Sequence, residues 1–255
     1  MSVEDVMTPL AVSAANDSVE EPSVYTSVER REAADIDAVG DVLAKLLPGD
    51  DVIELEMPVV GGNLAYRFVK RAFDVVSCSC ALIILAIPMG VIALKIKSES
   101  PGPVIFAQRR VGKGGRIFNV YKFRSMYIDA EARGARWAQG DDPRVTPFGK
   151  VMRKTRMDEI PQFWNVVKGD MTLIGPRPER PAFCAEFEKR IHGWHYRTMV
   201  TPGLSGLAQV TGGYDLLPKE KVVLDLEYIE RRSIAMDAKI ILKTLGVVST
   251  GEGAR

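Results

Sequence analysis

Twenty consecutive residues, Val75 to Leu94, carry no charge: VVSCSCALIILAIPMGVIAL. As one helix, that run just suffices to cross the ~30 Å hydrocarbon core of a bilayer. Few architectures can house so much unbroken apolar chain, because lipid or a protein core must cover it. Its flanks narrow the choice. Arg67, Lys70 and Arg71 precede the run, and Lys95 and Lys97 follow it. Cationic flanks mark the cytoplasmic side of a membrane segment, and here both ends carry them. Pro88 and Gly90 lie in the last third of the run, where proline removes a backbone hydrogen bond and kinks a helix. The expectation is a re-entrant helix–break–helix over residues 63–98, with Pro88 as the membrane break, that dips into one leaflet and returns. A single span and a buried core helix are the competing readings.

Charge is distributed as unevenly as hydrophobicity. Residues 1–60 hold three Lys/Arg against fourteen Asp/Glu, a balance of −11, and the net charge of +1 leaves +12 for the rest. A body that basic favours anionic partners, either membrane headgroups or phosphorylated substrates. No basic helix with interleaved aromatics accompanies it, so nucleic acid is not the expected partner. Residues 1–62 read as an acidic, largely disordered tail. Within it, Ile36, Val39, Leu43 and Leu46 or Leu47 allow a short amphipathic helix. Glu4 and Asp5 occupy the place of a signal peptide's basic segment, so a reducing, cytoplasmic setting is expected. Cys78, Cys80 and Cys184 form no disulfide framework, and the first two read as small hydrophobes inside the apolar run.

Beyond Pro101-Gly102-Pro103, Val104–Ala107 and Ile117–Phe123 read as strands around Gly112, Gly114 and Gly115. This predicted β-hairpin carries Arg109, Arg110, Lys113, Lys122 and Arg124, which taken singly read as solvated charges. Val222–Ile229 and Ala235–Val248 have amphipathic spacing, with Ser233 as N-cap of the second. They would pack on the body or lie on the bilayer surface. His192 and His195 stand one helical turn apart, a weak metal signal without a third ligand.

The chemistry concentrates in RKTRMDEIPQFWNVVKGDMTLIGPRP, from Arg153 to Pro178. Asp158 and Glu159 stand side by side among Arg153, Lys154 and Arg156, with Arg177 following between two prolines. Adjacent carboxylates suit a divalent metal, and planar guanidiniums suit phosphate oxygens. Phosphoryl transfer from a metal-bound diphosphate needs both, and a membrane segment nearby points to a lipid-phosphate substrate. A helix from Phe148 to Met157 would keep Asp158 away from Arg153. Pro161 should bias Ile160 out of helical geometry and start a new helix, leaving the two carboxylates just before its N-terminus. An Asp-Glu pair at a helix start is, alone, usually just a cap.

Lys70–Asp74 (KRxxD), SPGPVIFAQRRVG at Ser100–Gly112, YKFRSM at Tyr121–Met126, the Asp-Glu to Gly-Pro-Arg-Pro stretch and TPGLSGLAQVTG at Thr201–Gly212 resemble the bacterial sugar transferases. These are monotopic phosphoglycosyl transferases that initiate glycoconjugate assembly on a polyprenyl phosphate. The resemblance runs from about Arg67 to the C-terminus. It implies a re-entrant membrane helix, a Mg²⁺-bound Asp-Glu dyad, a nucleoside-diphosphate sugar donor (a UDP-sugar) and an undecaprenyl phosphate acceptor. Matched residue by residue, Asp158 is the nucleophile, Glu159 its metal-binding partner, and Lys122, Arg153 and Arg177 the phosphate-associated cations. Pro88 matches the helix-breaking proline, and Asp74 follows the basic pair at the membrane boundary. One departure concerns the donor: many relatives carry Arg or Trp-Arg where this chain has Gly213-Tyr214.

The expected fold is mainly α with a small β-hairpin, a monotopic membrane protein with interfacial amphipathic helices and a catalytic domain over 99–255 on the cytoplasmic face of the inner membrane. The expected function is transfer of a sugar 1-phosphate through a covalent phosphosugar on Asp158, the first membrane step of a polysaccharide or glycoconjugate. Membrane lipids and, as protein partners, a second copy or other assembly enzymes complete the expectation. A catalytically silent membrane scaffold and direct transfer without a covalent intermediate are the rivals.

Overall fold

The computed structural model describes residues 46–47, 52–128, 130, 142–213 and 216–250. The stretch 1–28, most of the helix expected within 34–47, and Tyr214 lie outside the described residues.

The apolar run is divided between two helices. In α1 (Leu64–Ile84) the Asn63 side chain caps the first turn, its Oδ1 accepting from the Tyr66 N–H at 2.8 Å. The helix ends at Leu85, and α2 (Ala86–Glu99) departs at a bend of 60°. Pro88 lies in the first turn of α2. Its ring would meet the carbonyl four residues back, that of Ile84, in a continuous helix. The turn therefore falls three residues before the proline rather than at it. No single helix among the described residues is long and apolar enough to cross a membrane. α1 buries Tyr66, Asp74 and Cys78 along one stripe and exposes Phe68, Phe73, Val76 and Ile83; α2 buries Ile92 and Ile96 and exposes Ile87, Val91 and Leu94. Each helix thus keeps one side on protein and an apolar side outward.

Beneath them lies the hairpin. β2 (Ile105–Val111) pairs antiparallel with β3 (Ile117–Phe123), Ile105 opposite Phe123 and Val111 opposite Ile117. The first strand runs four residues further than predicted, because its cations are not all solvated. Arg110 donates to the Pro178 carbonyl at 3.0 Å and meets Glu179 at 3.3 Å. Arg124 is buried, donating at 2.7 Å to the carbonyls of both Ser100 and Pro101 just past α2. Both ends of the hairpin are tied into the body by guanidiniums.

Among the described residues the hairpin is one of three two-stranded pairs. β4 (Thr172–Ile174) runs parallel to β6 (Gly203–Ser205), and β1 (Ile53–Glu54) runs parallel to β5 (Ile191–His192). The second of these brings residues 52–62, assigned on sequence grounds to the acidic tail, onto the body; Leu55 N–H bonds the His192 carbonyl at 2.9 Å and Gly61 N–H that of Ile229 at 3.0 Å. The remaining helices are α3 (Pro147–Lys154), α4 (Gln162–Lys168), α5 (Pro181–Arg190), α6 (Leu207–Thr211), α7 (Pro218–Arg231) and α8 (Ile234–Thr250). Ser233 Oγ accepts from Met236 N–H at 3.2 Å, capping α8 as its sequence suggests.

The largest core gathers Phe183, Phe187, Trp194, Leu226, Tyr228 and Ile240, with Phe187 edge-on to Trp194 at 4.7 Å. Two smaller clusters bear on the site. Cys78, Val120, Val166 and Met171 join α1 to β3 and α4; Ile92, Ile96, Phe123 and Met152 join α2 to β3 and α3. Both halves of the bent pair therefore grip the strand that carries Lys122.

Candidate active site

α3 begins at Thr146, whose hydroxyl accepts from Gly149 N–H at 3.0 Å. A side chain at Gly149 would stand 2.1 Å from the Ser125 carbonyl, so glycine lets the helix rest on the backbone after β3. One turn later Arg153 Nε reaches Ser125 Oγ at 2.9 Å. The helix stops at Lys154, and Arg156 adopts φ 56°, ψ 18°. A left-handed conformation costs a residue with a Cβ about 1–2 kcal/mol. It is fixed by bonds from Arg156 N–H to the Arg153 carbonyl at 3.1 Å and from Glu159 N–H to the Arg156 carbonyl at 3.2 Å. The reversal makes Met157–Glu159 a tight 3₁₀ turn and brings Asp158 back toward Arg153.

The interruption between Arg153 and the carboxylates is thus made at Arg156, upstream of the proline. Ile160 is helical (φ −52°, ψ −40°), against expectation. The preference of a residue preceding proline is modest, and Pro161, on the first turn, has no N–H to lose. The carboxylates and α4 form one continuous right-handed turn.

Besides α3, two elements converge on the pair. From β3, Lys122 Nζ lies 2.8 Å from Glu159 Oε1 and 3.9 Å from Asp158 Oδ2. From the segment after β4, Arg177 Nη2 bonds the same Glu159 oxygen, while its Nη1 donates to the Leu204 carbonyl at 3.1 Å. Gly175 N–H bonds the Ser205 carbonyl at 2.8 Å, and a Cβ there would stand 2.7 Å from the Thr201 carbonyl. Such close backbone contact fixes where the following Pro-Arg-Pro leaves the strand. Arg197, stacked 4.3 Å over Trp194 and paired with Asp225, donates to the Arg177 carbonyl at 2.9 Å.

Two side chains that sequence reasoning passed over set this geometry. Asn165, fully buried on α4, accepts from Tyr121 N–H at 3.0 Å and donates to the Asn119 carbonyl at 2.7 Å. It clamps α4 to β3 and hence the carboxylates to Lys122. Ser125 orients Arg153. The asparagine within an otherwise apolar helical turn, FWNVV, was the available signal.

The two carboxylates are electrostatically unlike. Burial pushes Asp158 above the usual carboxylate range, Lys122 only partly opposes this, and the negative neighbour Glu159 adds to it. Burial would raise Glu159 too, but Arg177 and Lys122 outweigh it and hold that carboxyl far below its ordinary value. One carboxylate is a fixed anion shared by two cations. The other is buried without a direct hydrogen bond from Lys122. Titratable neighbours driven apart in this way commonly divide their roles in catalysis.

The set of donors suits Mg²⁺ in one manner. Among the described residues no three His, Cys, Asp or Glu side chains gather into a metal cage. Mg²⁺ is usually held by one or two carboxylates with substrate phosphates and water completing its shell. Asp158 and Glu159 fit that arrangement. His195, by contrast, is tied to Glu188, Nδ1 to Oε1 at 2.8 Å, and Cys184 is buried with its thiol pushed up to about 12.

Asp74 is also accounted for. It is buried in α1, accepting from the Thr172 hydroxyl and, at 3.3 Å, from Leu173 N–H, so it fastens the apolar helix to β4.

The chain is 48% identical over 193 residues to the UDP-N-acetylgalactosamine-undecaprenyl-phosphate N-acetylgalactosaminephosphotransferase of Aeromonas hydrophila, a match covering 74% of this chain and 46% of that protein. It is 38% identical over 190 residues to the UDP-glucose:undecaprenyl-phosphate glucose-1-phosphate transferase of Caulobacter vibrioides, covering 72% and 71% respectively. With the putative undecaprenyl-phosphate N-acetylgalactosaminyl 1-phosphate transferase of Bacillus subtilis the identity is 53% over 133 residues, covering 52% and 74%. The match spans about half the length of the Aeromonas relative and of a Streptococcus agalactiae one. The family described as bacterial sugar transferase matches residues 65–251, from the second residue of α1 to the end of α8. With the bent apolar pair, the hairpin lysine and the carboxylate turn all inside that span, the chain belongs to the bacterial sugar transferase family.

Proposed function

We propose that this protein transfers a sugar 1-phosphate from a UDP-sugar to undecaprenyl phosphate at the cytoplasmic face of the inner membrane, through a phosphosugar carried on Asp158. The names of the relatives supply the class of donor and acceptor. The observation that carries the reading is the carboxylate turn: a buried Asp158 beside a fixed anion, with Lys122, Arg153 and Arg177 arriving from three separate elements.

Each residue has a defined task. Asp158, desolvated and not hydrogen-bonded directly to Lys122, is the better nucleophile of the two. A carboxylate oxygen attacks the sugar-linked phosphorus, the bond to the nucleotide's bridging oxygen breaks, and UMP leaves with that electron pair. Glu159 keeps Lys122 and Arg177 in place as a hinge between strand and loop. Arg153 and Arg177 present planar forks to phosphate oxygens as charge shifts onto them. In the second half, a phosphate oxygen of the acceptor attacks the same phosphorus and Asp158 is released as carboxylate. Mg²⁺, when held by Asp158, Glu159 and the donor phosphates, would supply charge neutralisation on the diphosphate. The bent helix pair would enter one leaflet and return, leaving the carboxylate turn at the membrane face where a lipid phosphate can reach it.

Purified full chain given labelled UDP-sugar without lipid acceptor should release one UMP per active site and acquire one phosphosugar, located by peptide mapping on Asp158. Asp158→Asn should acquire none. An adduct on Glu159, or strictly sequential kinetics with no adduct, would overturn the assignment.

A further inference from the structure

A second concave site lies away from the carboxylate turn, where α1, the hairpin turn and the end of α7 meet. It is a pocket of about 210 Å³ whose cations are Arg67, Lys70, Arg71, Lys113 and Arg232. Neither Asp158 nor Glu159 lines it. α4 stands between the two, seven residues and so about 10 Å long, with the carboxylates before its first turn and Arg71 bonded to the Val166 and Val167 carbonyls at its far end.

The charge in this pocket is only partly balanced by protein. The one carboxylate in its wall, Asp74, is engaged by Thr172 and Leu173. Lys70 has Asp237 at 3.1 Å. Arg232 donates to the Gly61 carbonyl at 2.6 Å and stacks 5.7 Å over Tyr66, and Asp237, already paired with Lys70, acts on it through space. Burial draws its pKa down, helped by the like charge of Arg67 and only partly opposed by Tyr66, Tyr228 and Asp237. Arg67 and Lys113 are exposed and have no ion pair among the described residues. Like charges gathered in a concavity repel one another and focus a positive potential there, which an anion relieves.

The surroundings specify the anion's source. Leu64 and Phe68, one turn apart at the start of α1, are 81% and 76% exposed, and Ile234 at the start of α8 is 56% exposed. The basic pocket therefore stands beside the apolar flank of a helix whose own run belongs in lipid. Its volume falls below the roughly 300–1,000 Å³ of pockets that enclose drug-sized ligands, which suits a phosphate group with a few attached atoms.

We propose that the pocket bounded by Arg67, Lys113 and Arg232 is a phosphate-binding site that takes the headgroup of an anionic membrane phospholipid, separate from the catalytic phosphates. It fixes the depth and rotation of α1 in the membrane and leaves the sugar-transfer site free. It does not depend on the proposed reaction, because its test reads binding.

Full-length protein in detergent, titrated with phosphatidylglycerol and observed by native mass spectrometry, should retain one such lipid per chain and discriminate against phosphatidylcholine. R67A/K113A, altering two exposed side chains, should bind phosphatidylglycerol roughly tenfold or more weakly, as removal of two basic groups near anionic lipid implies. K95A/K97A, changing the other cationic flank, should bind as wild type. Inorganic phosphate offered as competitor separates the sources. Failure to displace the lipid assigns the site to membrane headgroups, and displacement at millimolar concentration assigns it to phosphate from either source. Undiminished lipid binding by R67A/K113A, or equal loss in K95A/K97A, would reduce the site to a diffuse basic surface and overturn the proposal.

Discussion

At the scale of single residues, the site works by making two chemically similar side chains unlike. Glu159 is saturated with cations and Asp158 is desolvated, and this has a consequence for pH. Asp158 must be ionised to attack, and its carboxyl is held above the ordinary range, so the acid limb of adduct formation should lie above the ordinary aspartate value of about 3.9. Glu159→Gln removes the adjacent negative charge and frees Lys122 and Arg177 for Asp158. Both changes favour the carboxylate, so the acid limb should move to lower pH although the rate falls. Lys122→Met should move it the other way, to higher pH, because an opposing charge 3.9 Å away is lost. Stopped adduct assays across pH measure both shifts, and identical limbs in all three proteins would show that Asp158 does not govern them. That cations gather about the acidic pair was legible in the run from Arg153 to Arg177, whereas Lys122 was marked only by the family resemblance. Asn165 and Ser125 were not legible, since their importance lies in which backbone they meet across 46 and 28 residues. Arg110 and Arg124 were misread for the same reason, as partners of carbonyls distant in sequence leave no local trace.

At the scale of elements, the bend between α1 and α2 is the feature most readily perturbed. The sequence located it to within three residues, since Pro88 displaces the break to the carbonyl that its ring would strike. Pro88→Leu restores an N–H and removes that clash, so the two helices should straighten. In a background with the exposed Cys80 replaced by serine, single cysteines at Ala65 and Ser98, both exposed, should react with an impermeant reagent from the same side of sealed vesicles. Pro88→Leu should move Ser98 toward the opposite side. Opposite-side labelling of the parent protein would make Val75–Leu94 a full span. The carboxylate turn was a harder inference. A left-handed arginine costs energy locally and is held only by its tertiary setting, so propensity pointed to the proline instead.

At the scale of the whole molecule, buried charge holds the catalytic body together behind the site. Glu179 accepts Arg110 from β2 and Lys221 from α7, at 3.3 and 3.2 Å. Burial alone would raise its carboxyl, but Lys221 and then Arg110 outweigh it and hold it at about 2, against 4.5 for a free glutamate. A depressed folded value contributes stability that is present above pH 4.5 and is lost as pH falls toward 2. A difference of that size corresponds to about 3 kcal/mol at neutral pH. Glu179→Gln should therefore unfold at lower urea than wild type at pH 7, by about that free energy, and the gap should close as the pH approaches 2. A constant gap at every pH would mean that packing, and not the ion pairs, is responsible.

The bolts from α1 into the body, Arg71 on the end of α4, Asp74 on β4 and Cys78 in the cluster with Val120, Val166 and Met171, bear on how this enzyme can be cut. Trimming the chain to begin after Glu99 would remove the hydrophobic liability of the apolar helices. It would also uncap α4, orphan Thr172 and Leu173 N–H, and open to water the strand that carries Lys122. Proteolysis or deletion at that boundary yields a damaged catalytic body rather than a soluble one. The apolar helix pair is a wall of the enzyme in its own right.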